Sequence, residues 1–226
     1  NNDSAYETAI EFKKNGINPI VLDSRKELNS DLITEAKNLG IDIKFEHVVV
    51  NANGYRKVKS ADIAKISEDK TNLGKIENIA CDCICVSGFW TPTIHLASQS
   101  GGKTKFNEDI DAFIPSQSKQ NETTVGSANG IFNLNDTLKN SFEAGYELSK
   151  KITSKENKLS VPAVVEKKNS KHDKFWCVPL PKGKKYKRFL DFQNDVAVSD
   201  IELALREGYR SIEHVKRYTT LGMATD

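Results

Sequence analysis

Apolar positions in the first ninety residues switch between helical and strand spacing. Ala5, Ala9 and Phe12 recur at intervals of three and four, which predicts a helix. Ser4 is placed to cap it, Glu7 three residues on completes a capping box, and Gly16 is placed to end it. Residues 18–23 read as a short apolar strand that ends on an acid. Leu32, Ile33, Ala36 and Leu39 share one face of a second helix predicted over 28–39, with Gly40 as its stop. Residues 41–45 alternate, 47–50 continue extended, and Asn53-Gly54 signals a hairpin turn. Apolar and charged residues then mix from Tyr55 to Ile66 as in meandering strands, and 78–87 reads as a buried strand. A later helix is predicted around 135–150. Ser199 is placed to cap another that bears Ile201, Leu203, Ala204 and Leu205 before Gly208, and 211–218 forms a last one that Gly222 ends.

Helix, strand, helix, strand, meander and buried strand is the order of a dinucleotide-binding domain after its first strand. The predicted class is α/β: a partial FAD/NAD(P)-binding, Rossmann-like domain with a β-meander, followed by a small helical module. The first strand of such a unit would precede Asn1. Met223 is the sole methionine and the chain opens on Asn1-Asn2-Asp3-Ser4, so it is expected to be a slice of a longer polypeptide.

Composition divides the chain further. Of 226 residues 38% are hydrophobic and 28% charged. No apolar run approaches the ~18 residues of a membrane span, and no signal-peptide pattern opens the chain. A formal charge of +2 argues against a dedicated nucleic-acid binder. That total conceals an asymmetry: residues 151–190 hold 12 Lys+Arg against 3 Asp+Glu, leaving 21 basic and 28 acidic groups elsewhere. Pro162, Pro179 and Pro181 fall in the same stretch. It reads as a connector, with a patch for an anionic partner as the other reading. The expected divisions are 1–150 for the partial dinucleotide-binding region, 151–188 for the basic connector and 189–226 for the helical module. Four cysteines exclude a disulfide scaffold and fit a reducing compartment, so the cytoplasm is the expected location.

The candidate chemistry is sparse. A first turn that grips a pyrophosphate needs G-x-G-x-x-G, whose glycines let backbone approach phosphate. Asn1-Asn2-Asp3-Ser4-Ala5 stands there instead, and Asp3 would repel a phosphate. Asp23, with Arg25 close by, stands where an acid accepts from a ribose hydroxyl; the other reading is a solvated strand end. Cys81-Asp82-Cys83-Ile84-Cys85 invites a metal, but thiols at every second strand position lie nearly 7 Å apart along the backbone. Tetrahedral zinc or an iron–sulfur cluster needs closer thiolates, so a buried strand of small residues is expected. Val86-Ser87-Gly88-Phe89-Trp90-Thr91-Pro92 resembles the return connection of two-domain flavin/pyridine-nucleotide oxidoreductases. Val125-Gly126-Ser127-Ala128-Asn129-Gly130, ahead of a helix, resembles the element that lies beside the pyrophosphate in that fold; a plain tight turn is the alternative. His214, flanked by basic residues, reads as solvated.

Taken together, these segments resemble the α subunit of heterotetrameric sarcosine oxidase. The carrying stretches are Asn1 to Tyr6, 86–103, 126–130, and above all 189–196 and 213–226, the last including Glu213-His214-Val215-Lys216-Arg217-Tyr218-Thr219-Thr220-Leu221-Gly222. The likeness covers nearly the whole chain apart from the basic connector. It implies oxidative demethylation of sarcosine to glycine, reduction of O2 to hydrogen peroxide, and one-carbon transfer to tetrahydrofolate or release of formaldehyde. It implies a non-catalytic NAD on the α subunit, with FAD and FMN chiefly on the β subunit. Ser87, Gly88, Gly126, Asn129 and Gly130 match elements expected near the dinucleotide, so this chain would hold a partial NAD site and no catalytic residue. The implied partners are the β, γ and δ subunits and a downstream folate-binding domain of the same chain, with no nucleic acid and no membrane. Residues 191–226 resemble a module that carries a [2Fe–2S] cluster in related amine dehydrogenases. Asp191-Phe192-Gln193 replaces a C-x-C pair there, and Ala224-Thr225-Asp226 carries no thiol, so no cluster is expected. Two readings stay beside this one: the α subunit of a related amine or opine dehydrogenase, and a non-catalytic assembly module.

Overall fold

The computed structural model describes residues 1–153, 160–161, 164, 173–184 and 186–223. Much of the basic connector, Pro162 included, and the tail Ala224-Thr225-Asp226 lie outside the described residues. The fold is mixed α/β and divides into two compact units. Unit 1 comprises Asn1–Ile10, Asn29–Leu39 and Ser87–Lys174; unit 2 comprises Glu11–Leu28, Gly40–Val86 and Phe175–Asp226.

Helix α1 (Ser4–Lys14) opens the chain and buries Tyr6, Ala9 and Ile10. Ser4 is its first residue, not its cap: Asn2 Oδ1 accepts from the Ser4 amide at 2.9 Å. Helix α2 (Asp31–Asn38) starts three residues later than the apolar period suggests. Ser30 sets that start, because its hydroxyl accepts from the Ile33 amide at 3.2 Å. Leu32, Ile33 and Ala36 are buried, and removing a Leu-sized side chain from water contributes about 1.5–3 kcal/mol.

In unit 2, β1 (Ile20–Asp23) pairs in parallel with β2 (Asp42–Phe45). The meander is β3 (His47–Gly54), β4 (Val58–Ile66) and β5 (Leu73–Ala80), all antiparallel, with β4 in the centre. Gly54 pairs with Val58, so the turn is Tyr55–Arg56–Lys57 and Asn53-Gly54 belongs to the strand. Ala61, Ile63, Ala64 and Ile66 of β4 are buried. On a more exposed part of the sheet, the Asn78 and Asn53 side-chain amides reach Asp62 at 2.7 and 2.9 Å. Asn78 chiefly holds the Asp62 carboxyl below its ordinary range.

The expected buried strand over 78–87 is not there. β5 ends at Ala80 and its chain continues without regular structure, half-buried or exposed. The physical reason is loss of a partner. Ala80 pairs with Ser60, Cys81 donates to the Lys59 carbonyl at 3.1 Å, and β4 begins at Val58 straight after its turn. In the same register residue 82 would face Val58, the first residue of β4, so β4 offers no partner to residue 83 onwards.

Unit 1 continues with a short helix α3 (His95–Gln99) and a hairpin of β6 (Lys103–Asn107) and β7 (Ala112–Gln117). A 3-10 turn at Gly126–Asn129 precedes α4 (Leu134–Thr153). Unit 2 ends in the pair β8 (Phe189–Asp191) and β9 (Val196–Ala197), then α5 (Val198–Arg206) and α6 (Ile212–Thr219). Ser199 lies inside α5; the Asp200 carboxylate instead accepts from the Ala197 amide at 2.8 Å and fixes the helix start. After α6, Thr220 takes the left-handed conformation (φ 62°), two residues before Gly222.

Candidate functional site

Ser87 and Gly88 sit beside the N-terminus of α1, within unit 1, and Asn2 joins them. Asn2 is 5% exposed. Its Oδ1 accepts from the Ser4 amide at 2.9 Å, the Ser4 hydroxyl at 2.6 Å and the Ser87 hydroxyl at 3.0 Å. The Ser4 and Ser87 hydroxyls lie 2.6 Å apart, and Asn2 Nδ2 donates to the Gly88 carbonyl. Asp3 is also buried, and its carbonyl accepts from the Tyr6 and Glu7 amides. The first turn of α1 is therefore capped by its own chain, with an acid beside it. That end of α1 does not fit a pyrophosphate, which needs free amides and no competing carboxylate. Gly88 differs: no atom lies within 4 Å of where its Cβ would stand, so its backbone is open to close approach.

Gly126, Asn129 and Gly130 form the 3-10 turn and its end in the same unit. Gly126 (φ 64°) is buried, and its amide donates to Asn140 Oδ1 at 3.2 Å. Gly130 (φ 79°) ends the turn, and a Cβ there would stand 2.8 Å from Ile110 and 3.0 Å from Ile114. The left-handed backbone favours glycine at this point, and a side chain there would have to displace Ile110 and Ile114. Pro92 lies 3.8 Å from the same position, which brings the 86–92 connection to the turn. Asn129 lines a shallow groove of about 230 Å³ with Pro115, Gln117, Glu122 and Thr124. The following helix has a capped start as well: Asn133 Oδ1 accepts from the Asp136 amide at 3.0 Å, and Asp136 adds negative charge to that first turn.

Asp23 is not a solvated strand end but is buried. Its carboxylate accepts from Arg25 Nε at 2.9 Å, Nη2 at 2.8 Å and the Arg25 amide at 2.9 Å. The two side chains are 2% and 5% exposed, so the pair is a buried fork committed to its own chain. His214 is exposed. The cysteines depart from expectation: Cys83 and Cys85 are exposed, in irregular chain, with sulfurs 3.9 Å apart. Among the described residues no group of three or more His, Cys, Asp or Glu could hold a metal ion.

Asp191 organises the C-terminal module. Its carboxylate accepts from the Gln193 and Asn194 amides at 2.8 and 3.1 Å, from Asn194 Nδ2 at 3.0 Å and from the Gly222 amide at 2.9 Å. These bonds, the Asn194 side chain first, hold it down at about 2. The turn after β8 is thereby tied to the chain that follows α6. The Asp191 oxygens are taken by protein donors, and no cysteine is present between 189 and 223. These residues do not fit a [2Fe–2S] cluster.

Residues 185–226 match the family model described as the sarcosine oxidase A3 domain. The whole chain aligns with the sarcosine oxidase subunit alpha of Corynebacterium sp. strain U-96 at 30% identity and of Rhizobium meliloti strain 1021 at 32%. The chain is a homologue of sarcosine oxidase α subunits. A second Corynebacterium sequence, from strain P-1, is 29% identical. The chain spans only 24%, 22% and 24% of these three relatives' own length. The crystal structure of L-proline dehydrogenase from P. horikoshii overlaps 85% of this chain and 38% of its own, with 16% identity and a TM-score of 0.49.

Proposed function

We propose that this chain is part of the α subunit of a heterotetrameric sarcosine oxidase and supplies scaffold and nucleotide contacts, not the amine-oxidising centre. The reading rests on one observation: end-to-end similarity to sarcosine oxidase α subunits from two bacterial genera. The assembled enzyme would demethylate sarcosine to glycine, reduce O2 to hydrogen peroxide and pass the one-carbon unit to tetrahydrofolate. Residues 1–150 would be the partial dinucleotide-binding region, 151–188 the connector and 189–226 a clusterless helical module. The β, γ and δ subunits and a folate-binding domain would be its partners, with FAD and FMN chiefly on β. An amine or opine dehydrogenase of like architecture is the second reading.

A non-catalytic NAD is the cofactor proposed for this chain, and the residues present fit part of it. Bound NAD would supply a structural anchor and no chemistry in turnover. Ser87 offers a hydroxyl fixed by Asn2, Gly88 an open Cα face, and Asn129 a carboxamide in a groove. Gly126 and Gly130 shape the turn that carries Asn129. In the assembled enzyme, Gly88→Val is expected to weaken NAD retention about tenfold, the loss of roughly one charge-assisted hydrogen bond. Sarcosine turnover per flavin should persist. Unchanged NAD content, measured by release and chromatography, would remove Gly88 from the site.

A further inference from the structure

We propose that Cys83 and Cys85 are an oxidisable dithiol that closes to an intramolecular disulfide when a hydroperoxide reaches it. Their sulfurs are 3.9 Å apart, close enough for one thiol to hydrogen-bond the other, and both residues are exposed. Formation of the bond requires the sulfurs to approach to about 2.05 Å. The local chain can supply that movement, because residues 81–94 lie outside every strand and helix. Residues two apart in extended chain have Cα atoms roughly 6.6–6.8 Å apart, at the upper limit of what a disulfide spans. A modest bend at Ile84 brings them well inside it. A sheet ladder would have forbidden that bend; the early end of β5 permits it.

The chemistry balances without any further partner. One thiolate attacks the peroxide, its sulfur is oxidised to a sulfenic acid, and the O–O bond breaks to release hydroxide, which takes up a proton as water. The second thiolate attacks the sulfenic sulfur, the S–S bond forms, and a second water departs. Two thiols and one hydrogen peroxide become one disulfide and two waters. The neighbouring Cys83 thiol raises the Cys85 pKa, so closure should accelerate as pH rises.

The test is titration of the reduced full chain with hydrogen peroxide, followed by alkylation and peptide mass spectrometry. Alkylatable thiols should fall from four to two. The peptide that holds Cys83 and Cys85 should lose two hydrogens, and dithiothreitol should restore it. Cys83→Ser and Cys85→Ser should each abolish the reversible loss, whereas Cys81→Ser and Cys177→Ser should retain it. Oxidation of Cys83 or Cys85 to sulfinic acid without a disulfide would overturn the proposal. So would a disulfide that includes Cys81 or Cys177, or full alkylation after peroxide.

Discussion

Two carboxylates show how the same residue type takes opposite burdens in this chain. Asp23 is buried against Arg25, so each partner neutralises a charge that water would otherwise have to solvate. Arg25→Ala should therefore destabilise unit 2 by about 3–5 kcal/mol, because it removes the guanidinium counter-charge from a buried carboxylate. Chemical denaturation of the variant measures this, and a loss below 1 kcal/mol would contradict the buried fork. Asp191 is a half-buried carboxylate whose protein donors lower its pKa from 3.8 to about 2. A depressed folded-state value stabilises the module fully above pH 3.8, and that contribution fades as pH falls from there through about 2. In Asp191→Asn the acid-induced loosening of the module over that window should disappear. Hydrogen exchange of the Gly222 amide reports it. The roles of Asp23 and Asp191 are not legible in the sequence for one reason: they depend on partners two and 31 residues away, and spacing alone shows neither burial nor direction.

At the scale of elements, local chemistry decided most starts and stops, and partners decided the rest. The first two helices and first two strands were legible, since Leu32, Ile33 and Ala36 do form one buried face and β1 and β2 do pair. Their boundaries followed caps, with Ser30 and Asn2 as the acceptors. Ser30→Ala should cost about 1 kcal/mol in thermal or chemical unfolding, and no measurable cost would contradict its capping role. The β6–β7 hairpin escaped notice because Lys103, Thr104, Lys105 and Phe106 are all exposed, which erases the alternation that marks a half-buried strand. Residues 81–87 failed in the opposite sense. Their apolar run reads as buried, but a strand also needs a neighbour, and β4 offers none beyond its first residue, Val58. Of the expected site residues, Ser87 and Gly88 meet Asn2 and Ser4 through a hydrogen-bond cluster that an Asn two residues before Ser faintly signals.

For the whole molecule, the near-zero net charge hides a basic stretch over 151–190 and an otherwise acidic chain. Among the described residues no helix is long and apolar enough to cross a membrane. The chain spans about a quarter of the length of its curated relatives. The central claim is that frame and chemistry are separate. It is tested most directly by sarcosine-dependent hydrogen peroxide release, measured on this chain alone and on the complete complex. Peroxide from the complex and none from the chain is the predicted result. Sustained sarcosine turnover by the chain alone, or a flavin-replete complex inert to sarcosine, would contradict it.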